Sequence, residues 1–256
     1  MSSSSSHKTS SISCFSEEFE FSAASASTIS FDDEWTDEHT RMYESIFLHD
    51  LLNSVGGLRG YLELAGETEN LSSIKKYASN SLFLCDSLID EIEYHRQFLL
   101  AKNGNFKPIS ADTTTTEILK LTVLTLDKHA VSKDRKIEIS IDCSEKIQTD
   151  KVLLSRLLVN MTKNAIEATE DSGIVCVGAG KLGGKIRFAV HNSSFIPEET
   201  KKQLFKSQFS TKGNNRGIGL FSIKLLCEKL GGTLGFASSE ENGTYFFIDL
   251  PFRSQD

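Results

Sequence analysis

Two long helical patterns in tandem, separated by a turn of a few residues, decide what the first half of this chain can fold into. In residues 72–101, Ile74, Ala78, Ser81, Cys85, Leu88 and Ile92 recur at intervals of four, three, four, three and four, the spacing of a coiled-coil seam. Upstream, FLHDLLNSVGGLRGYL from Phe47 to Leu62 puts Phe47, Leu51, Val55, Leu58 and Leu62 on one stripe. A helix starting between Asp33 and Thr36 and ending near Gly66, followed by one from Ser72 to Ala101, makes an antiparallel hairpin. A single hairpin gives each apolar face only one partner, whereas two hairpins make a four-helix bundle, so a homodimer is expected, with packing onto the rest of the chain as the alternative. Gly56, Gly57 and Gly60 each cost about 1 kcal/mol relative to alanine inside a helix. Close approach of the neighbouring helix is the expected compensation, and local bending the other.

The 256 residues suffice for one large domain or two ordinary ones, and 39% hydrophobic with 25% charged residues supply a real core. A net charge of −7 argues against a nucleic-acid binder and leaves protein partners and small anionic ligands open. The five cysteines are widely spaced without a CxxC pair and read as free thiols of a reducing compartment. No apolar run approaches the roughly 18 to 20 residues that cross a bilayer, and the N-terminus lacks a signal-peptide pattern, so a cytoplasmic location without a membrane span is expected. Residues 1–32 are serine-rich and aperiodic, and are expected to be disordered. KNGNFK, Lys102 to Lys107, reads as a linker. The expected division is therefore 1–32 tail, 33–105 helical hairpin and 106–256 a second domain.

In that second domain helices alternate with strands. Thr116 to Ala130 reads as a helix, Lys136 to Ile141 as a half-buried strand, and Asp150 as the N-cap of a helix running to Thr169. Strands at 174–179 and 185–191, a short helix after Pro197, a polar loop at 206–216, a helix at 217–230 and strands at 233–238 and 244–250 complete the pattern. Such alternation ending in consecutive strands implies an α+β sandwich with helices on one face of a mixed sheet.

Three places carry chemistry. His49 points away from the apolar stripe, with Asp50 beside it and Asn53 one turn on; a carboxylate that fixes the imidazole tautomer leaves the other nitrogen nucleophilic. Asn160 and Asn164, four apart in LLVNMTKNAIEA, share a helix face opposite Leu157, Met161 and Ala165, and their amides suit magnesium beside a phosphate chain, with Lys163 and Arg156 as nearby cations. FSTKGNNRGIGL brings Gly217 and Gly219 to a helix start, where free N–H groups and a positive dipole receive phosphate, with Ser210, Thr211 and Lys212 as a lid. A surface histidine, a solvated polar face and a tight helix entry are the plain alternatives for each.

Together, Asn160 to Ala168, the FSTKG lid, the RGIGLFSIK helix start and the terminal GGTLGFASSEENGTYFFIDLP resemble the ATP-binding catalytic domain of two-component sensor histidine kinases, and FLHDLLN in its hairpin resembles their dimerisation and phosphoacceptor domain. The resemblance spans about residues 38–252. It implies a four-helix bundle on dimerisation followed by an α+β sandwich of the histidine-kinase ATPase (Bergerat) type. It also implies a protein histidine kinase that uses ATP and Mg, phosphorylates its own His49 and passes the phosphoryl group to a response regulator receiver domain, with a separate sensory protein as input. On this resemblance His49, Asp50 and Asn53 are catalytic; Asn160, Lys163, Asn164, Asn192, Ser210, Thr211, Lys212, Gly217, Gly219 and Thr244 bind nucleotide; Asn164, with Asn160, binds Mg. The sequence departs from the family where an Asp-x-Gly-x-Gly box is expected: VHNSSFIPEE offers His191 or Asn192 for the aspartate and Ser193 and Phe195 for glycines, and Asn215 replaces a glycine of the second box. These departures keep two alternatives open, an ATP-independent histidine phosphotransferase or phosphatase, and a pseudokinase scaffold regulating a partner kinase.

Overall fold

A computed structural model describes residues 27–28, 36–127, 136–139, 144–170, 173–204 and 219–252. The chain orders as β1 (Ser27–Thr28), α1 (Asp37–Glu67), α2 (Leu71–Lys102), β2 (Ala111–Thr114), α3 (Thr115–Asp127), β3 (Lys136–Ile139), β4 (Lys146–Thr149), α4 (Lys151–Ala168), β5 (Ile174–Leu182), β6 (Lys185–Asn192), α5 (Glu198–Leu204), α6 (Gly219–Lys229), β7 (Thr233–Ser239) and β8 (Gly243–Pro251).

The hairpin forms as its periodicity demands. Asn70 caps α2, its side chain accepting from the Ser72 and Ser73 amides at 2.9 and 3.2 Å, so the two-helix turn is closed by a short polar residue where free N–H groups need acceptors. Of the four α1 glycines only Gly57 is tightly approached: a Cβ there would lie 3.3 Å from Leu84 Cδ1, while Gly56, Gly60 and Gly66 face nothing within 4 Å. Phe47, Leu51 and Leu58 are half-buried, but Val55 and Leu62, expected on the same stripe, are exposed, as is Ile92 of the α2 seam. Val55 and Leu62, with exposed Leu48 and Leu52, form a second apolar stripe on α1.

The second domain is a six-stranded mixed sheet in the order β1-β7-β8-β6-β5-β3, parallel only between β3 and β5, with a separate β2–β4 pair. Helices cover one face: α4 buries Leu153, Leu154, Leu157, Leu158, Met161 and Ile166 against Val175, Val177, Phe188, Val190 and Ile248 of the sheet. This is the expected α+β sandwich. Asp150 caps α4 as read, accepting from the Leu153 amide at 3.0 Å. Strands β2 and β4 were not expected; each is four residues long, too short for alternation to show.

Two sequence expectations change. Within the 1–32 segment, Ser27–Thr28 pairs with the edge of the sheet at Phe236 and Gly235, because an edge strand leaves backbone groups that any extended segment can satisfy; residues 1–26 lie outside the described ones. Cys176 on β5 is disulfide-bonded, contrary to the reading of five free thiols, whereas Cys85 and Cys227 are free. Among the described residues no helix is long and apolar enough to cross a membrane.

Candidate functional site

His49 lies midway along α1 with 63% of its side chain exposed, and its Nδ1 is 3.1 Å from Asp50 Oδ1. A carboxylate can only accept, so Nδ1–H donates to Asp50, and that tautomer leaves the Nε2 lone pair outward. Asn53, one turn on, brings its amide nitrogen to 3.4 Å from Nε2 and 3.3 Å from Nδ1. With Nδ1 already donating, only Nε2 can accept from it. HDLLN thus gives the imidazole one proton held on Nδ1 and leaves Nε2 beside the Asn53 amide.

Asp50 itself turns toward a cavity of about 580 Å³ between the hairpin and the second domain. The opposite wall is α4: Asn160, Lys163, Asn164 and Glu167 fall at i, i+3, i+4 and i+7 and line the cavity, because the other side of that helix is committed to the core. Gly219 and Ser222 of α6 close one side, and Asp90, Glu91 and Tyr94 of α2 the other.

The cavity is crossed by polar contacts. The Arg156 guanidinium approaches the Asp90 carboxylate at 3.9 Å. Burial lowers the pKa of the Lys163 ammonium, with Glu91 and Asp90 opposing that shift, while burial and then Asp50 raise Glu91, with Lys163 opposing. The Tyr94 hydroxyl is 2.9 Å from Ser222 Oγ; burial pushes its phenol up to about 12, with Ser222 and Asn160 opposing. Asp50, Asp90, Glu91 and Glu167 outnumber Arg156 and Lys163 on the walls.

Strand parity puts the two candidates for the missing aspartate on opposite faces of the sheet. On β6, Ile186, Phe188 and Val190 face the helices, so Asn192 shares their face and His191 does not. His191 stacks on Tyr245 at 4.2 Å, with its Nε2 2.9 Å from the Asn242 carbonyl on the opposite face. Asn192 is 4% exposed and, among the described residues, its Nδ2 has no hydrogen-bond partner. It does not line the cavity.

Thr244, expected near the nucleotide, is bonded to protein groups. Its hydroxyl donates to the Ser194 carbonyl at 2.7 Å and lies 2.8 Å from Ser238 Oγ, which accepts from the Ile196 amide at 2.8 Å. Ser194 Oγ in turn donates to the Ala168 carbonyl at 2.6 Å. Hydroxyls therefore pin the segment after β6 where glycines were expected, and Thr244 is buried beneath it.

The structure brings Asp50, Asn160, Lys163, Asn164 and Gly219 to one cavity and leaves His49 and Asn53 on its hairpin rim, outside the lining. Ser210, Thr211, Lys212 and Gly217 lie outside the described residues. Asp90, Glu91, Tyr94 and Ser222 were not read from sequence; the Tyr94–Ser222 bond joins residues 128 apart, and no local pattern announces it.

Residues 149–254 match the family of histidine kinase-, DNA gyrase B- and HSP90-like ATPases. Among curated proteins, the chain is 27% identical over 233 residues to the sensor protein CitS of Halalkalibacterium halodurans, covering 79% of this chain and 42% of that protein. It is 31% identical over 137 residues to the sensor histidine kinase ZraS of Escherichia coli K12, covering 50% and 30%. The chain thus spans less than half the length of either relative. Among solved structures, the Acinetobacter baumannii histidine kinase AdeS superposes with a TM-score of 0.55 at 16% identity, covering 80% of this chain and 98% of that one. Full-length ShkA in complex with AMPPNP gives 0.57 at 19% identity, covering 84% and 46%. Both likenesses concern the fold.

Proposed function

We propose that this chain, which resembles sensor histidine kinases over most of its length and matches their ATPase family over residues 149–254, phosphorylates His49 from MgATP and hands the phosphoryl group to an aspartate of a response regulator. One observation carries the reading: Asp50, which holds the His49 proton, faces the same cavity as Asn160, Lys163 and Asn164.

The residues present fit a nucleotide. Asn192 has a buried amide without a protein partner, and an asparagine amide can both accept from an adenine amino group and donate to a ring nitrogen. The amide oxygens of Asn160 and Asn164 are the hard donors that magnesium takes, and the bound ion neutralises phosphate charge. Lys163 and Arg156 supply further positive charge to the same wall. Gly219, at the start of α6, lets the backbone approach phosphate.

In the first step the Nε2 lone pair forms the bond to the γ-phosphorus as its bond to the bridging oxygen breaks, and the electron pair leaves on ADP. Nδ1 keeps its proton, held by Asp50, whose charge stabilises the cationic ring. In the second step a carboxylate oxygen of the regulator takes the phosphorus, the N–P bond breaks and the imidazole is released neutral. The Asn53 amide, beside Nε2, is placed to orient a water that hydrolyses the acyl phosphate on the regulator. The partners are a receiver domain, a second copy of the hairpin and a separate sensory protein.

A second reading has its own observation. His191 stands on the wrong face to replace the aspartate, and Phe195 and Ser193 replace glycines, which favours an ATP-independent phosphotransferase that receives phosphate on His49 from a phosphorylated receiver. One experiment separates the two. Purified protein, His49→Ala and Asn164→Ala are incubated with γ-labelled ATP and magnesium. Acid-labile label on wild type alone is the expected result. Label acquired only from a phosphorylated receiver, without nucleotide binding by calorimetry, overturns the kinase reading.

A further inference from the structure

We infer that residues 14–26 cross the outer face of the six-stranded sheet as a strap, closed by a disulfide between Cys14 and Cys176.

The outer face is buried, yet the helices that pack on the sheet use the other side: α3, α4 and α6 meet it through Leu119, Leu154, Leu157 and Leu226. On the outer side Cys176, Ala189 and Phe247 are 1%, 2% and 4% exposed, and their cluster, with Ile174 and Tyr245 against it, contains sheet residues only. One layer of strands cannot cover its own face, so a further segment lies over it. The Arg187–Asp249 pair shares that face. Its side chains are 5% and 9% exposed, its two bonds measure 2.7 and 2.8 Å, and the guanidinium lies 3.7 Å from the Phe247 ring centroid. A buried ion pair is tolerated when its remaining donors are met, and Arg187 engages a partner beyond Asp249 and Phe247.

Strand register supplies the path. Ser27 of β1 stands opposite Phe236 and Thr28 opposite Gly235, so the chain upstream of Ser27 leads toward Ala237. Ala237 is opposite Tyr245, Tyr245 opposite His191 and His191 opposite Cys176, one row across β7, β8, β6 and β5. By strand alternation the whole row is on the outer face. Tyr245 and His191 each engage a further partner, and Cys176 at the end of the row is disulfide-bonded. Four strand spacings separate β1 from β5, roughly 19 Å, whereas the thirteen residues back from Ser27 to Cys14 reach about 43 Å when extended. Phe15, Phe19 and Phe21 bring rings to the apolar floor, and Glu17, Glu18 and Glu20 bring acceptors for the guanidinium.

Cys85 and Cys227 are free, which leaves Cys14 or Cys143 as the partner of Cys176. β3 runs parallel to β5 with Glu138 opposite Cys176 and Ile139 opposite Val177, so the chain after Ile139 heads away from Cys176. Two residues past Cys143, the Glu145 carboxylate is 2.8 Å from the Lys181 ammonium. Lys181 lies five residues along β5 from Cys176, about 17 Å. A disulfide needs its Cα atoms within about 7 Å, which a strap along the row gives Cys14 and which Cys143 meets only by doubling back. The closed strap keeps the outer face from any other partner. A dithiol opens it: the first thiolate attacks one sulfur and releases the other cysteine, the second closes a cyclic disulfide, and two electrons and two protons pass to Cys14 and Cys176.

The test is peptide mapping of the full chain purified without reductant, alkylated and digested unreduced, alongside Cys14→Ser and Cys143→Ser. A Cys14–Cys176 crosslink is expected in wild type and in Cys143→Ser. A glutamate-specific protease is expected to cut at Glu17, Glu18 or Glu20 about tenfold more slowly in unreduced wild type than in Cys14→Ser or in wild type treated with dithiothreitol, since cleavage requires an opened strap. Reduction of wild type carries the comparison if a variant fails to fold. A Cys143–Cys176 crosslink, or an alkylated Cys176 in wild type, overturns the closure and the path. Equal cleavage with and without reductant overturns the strap.

Discussion

At Asn192 the face of a strand, and not the identity of the residue, decides the chemistry. In the linear sequence His191 and Asn192 are equal candidates for the position of the missing aspartate; in the sheet only Asn192 shares the face of Phe188 and Val190, and its Nδ2 is buried without a partner. Replacing it by aspartate tests whether that amide serves the adenine. A carboxylate there has no protein partner to offset its burial, so Asn192→Asp is expected to lose about 1–3 kcal/mol of stability in the absence of nucleotide. A charged acceptor makes the stronger hydrogen bond to an amino group, so the rise in melting temperature on adding an ATP analogue is expected to exceed that of wild type. Thermal melts with and without the analogue measure both. A variant that loses stability but gains no larger ligand shift shows that Asn192 does not meet the base. His49, Asp50 and Asn53 were legible because their relation is local: i, i+1 and i+4 of one helix suffice to place them. Tyr94 and Ser222 were not, because their contact exists only once two domains meet, and the serine hydroxyls at 194 and 238 that replace glycine freedom carry no sequence pattern of their own.

Among the elements, the hairpin carries a titratable seam. His95 of α2 stacks on Phe47 at 3.8 Å between ring centroids and 5° between planes, with Tyr43 at 5.1 Å, directly beneath the turn that bears His49. Its Nδ1 is buried without a hydrogen-bond partner. Burial lowers its pKa below the ordinary 6.5, against the pull of Glu44, and burial lowers His191 in the same direction against its bond to the Asn242 carbonyl. For both groups the unfolded chain takes up a proton at a pH where the native chain does not. Their contribution to stability is thus whole above 6.5 and declines as pH falls below it toward the lower native value. Melting temperature is accordingly expected to fall as pH is lowered from about 7.5 to 5.5, and His95→Phe, which keeps an aromatic ring but has no proton to gain, to flatten part of that fall. An unchanged slope in the variant assigns the dependence elsewhere. The element boundaries themselves were largely readable: the long helices, α4 with its Asp150 cap and the last four long strands follow from periodicity. The four-residue β2 and β4 and the two-residue β1 escaped because their pairing is decided by partners distant in sequence.

For the molecule as a whole, the hairpin presents more apolar surface than its single partner covers. The inward face of α1, Phe47, Leu51 and Leu58, meets α2, but Leu48, Leu52, Val55 and Leu62 follow a second stripe, with Leu52 66% exposed. On α2, Leu82, Ile89 and Ile92 repeat the pattern at intervals of seven and three, with Leu82 68% exposed. Isolated exposed leucines need no explanation, whereas two continuous stripes on adjacent antiparallel helices are the faces that complete a four-helix bundle. Among the described residues, docking onto the second domain does not cover them, which favours a second copy over the rest of the chain as their partner. The chain is therefore expected to be a dimer by sedimentation at micromolar concentration. Leu82→Glu with Ile89→Glu, two charges set into the middle of that face, is expected to give a monomer of unchanged helical content, since substitutions at positions exposed in the single chain change its own stability by only about 0.5 kcal/mol or less. A wild-type chain that sediments as a monomer refutes the bundle. A double variant that loses helicity together with the dimer shows instead that the hairpin does not hold without its second copy, and so places the homodimer upstream of the phosphoacceptor site it presents.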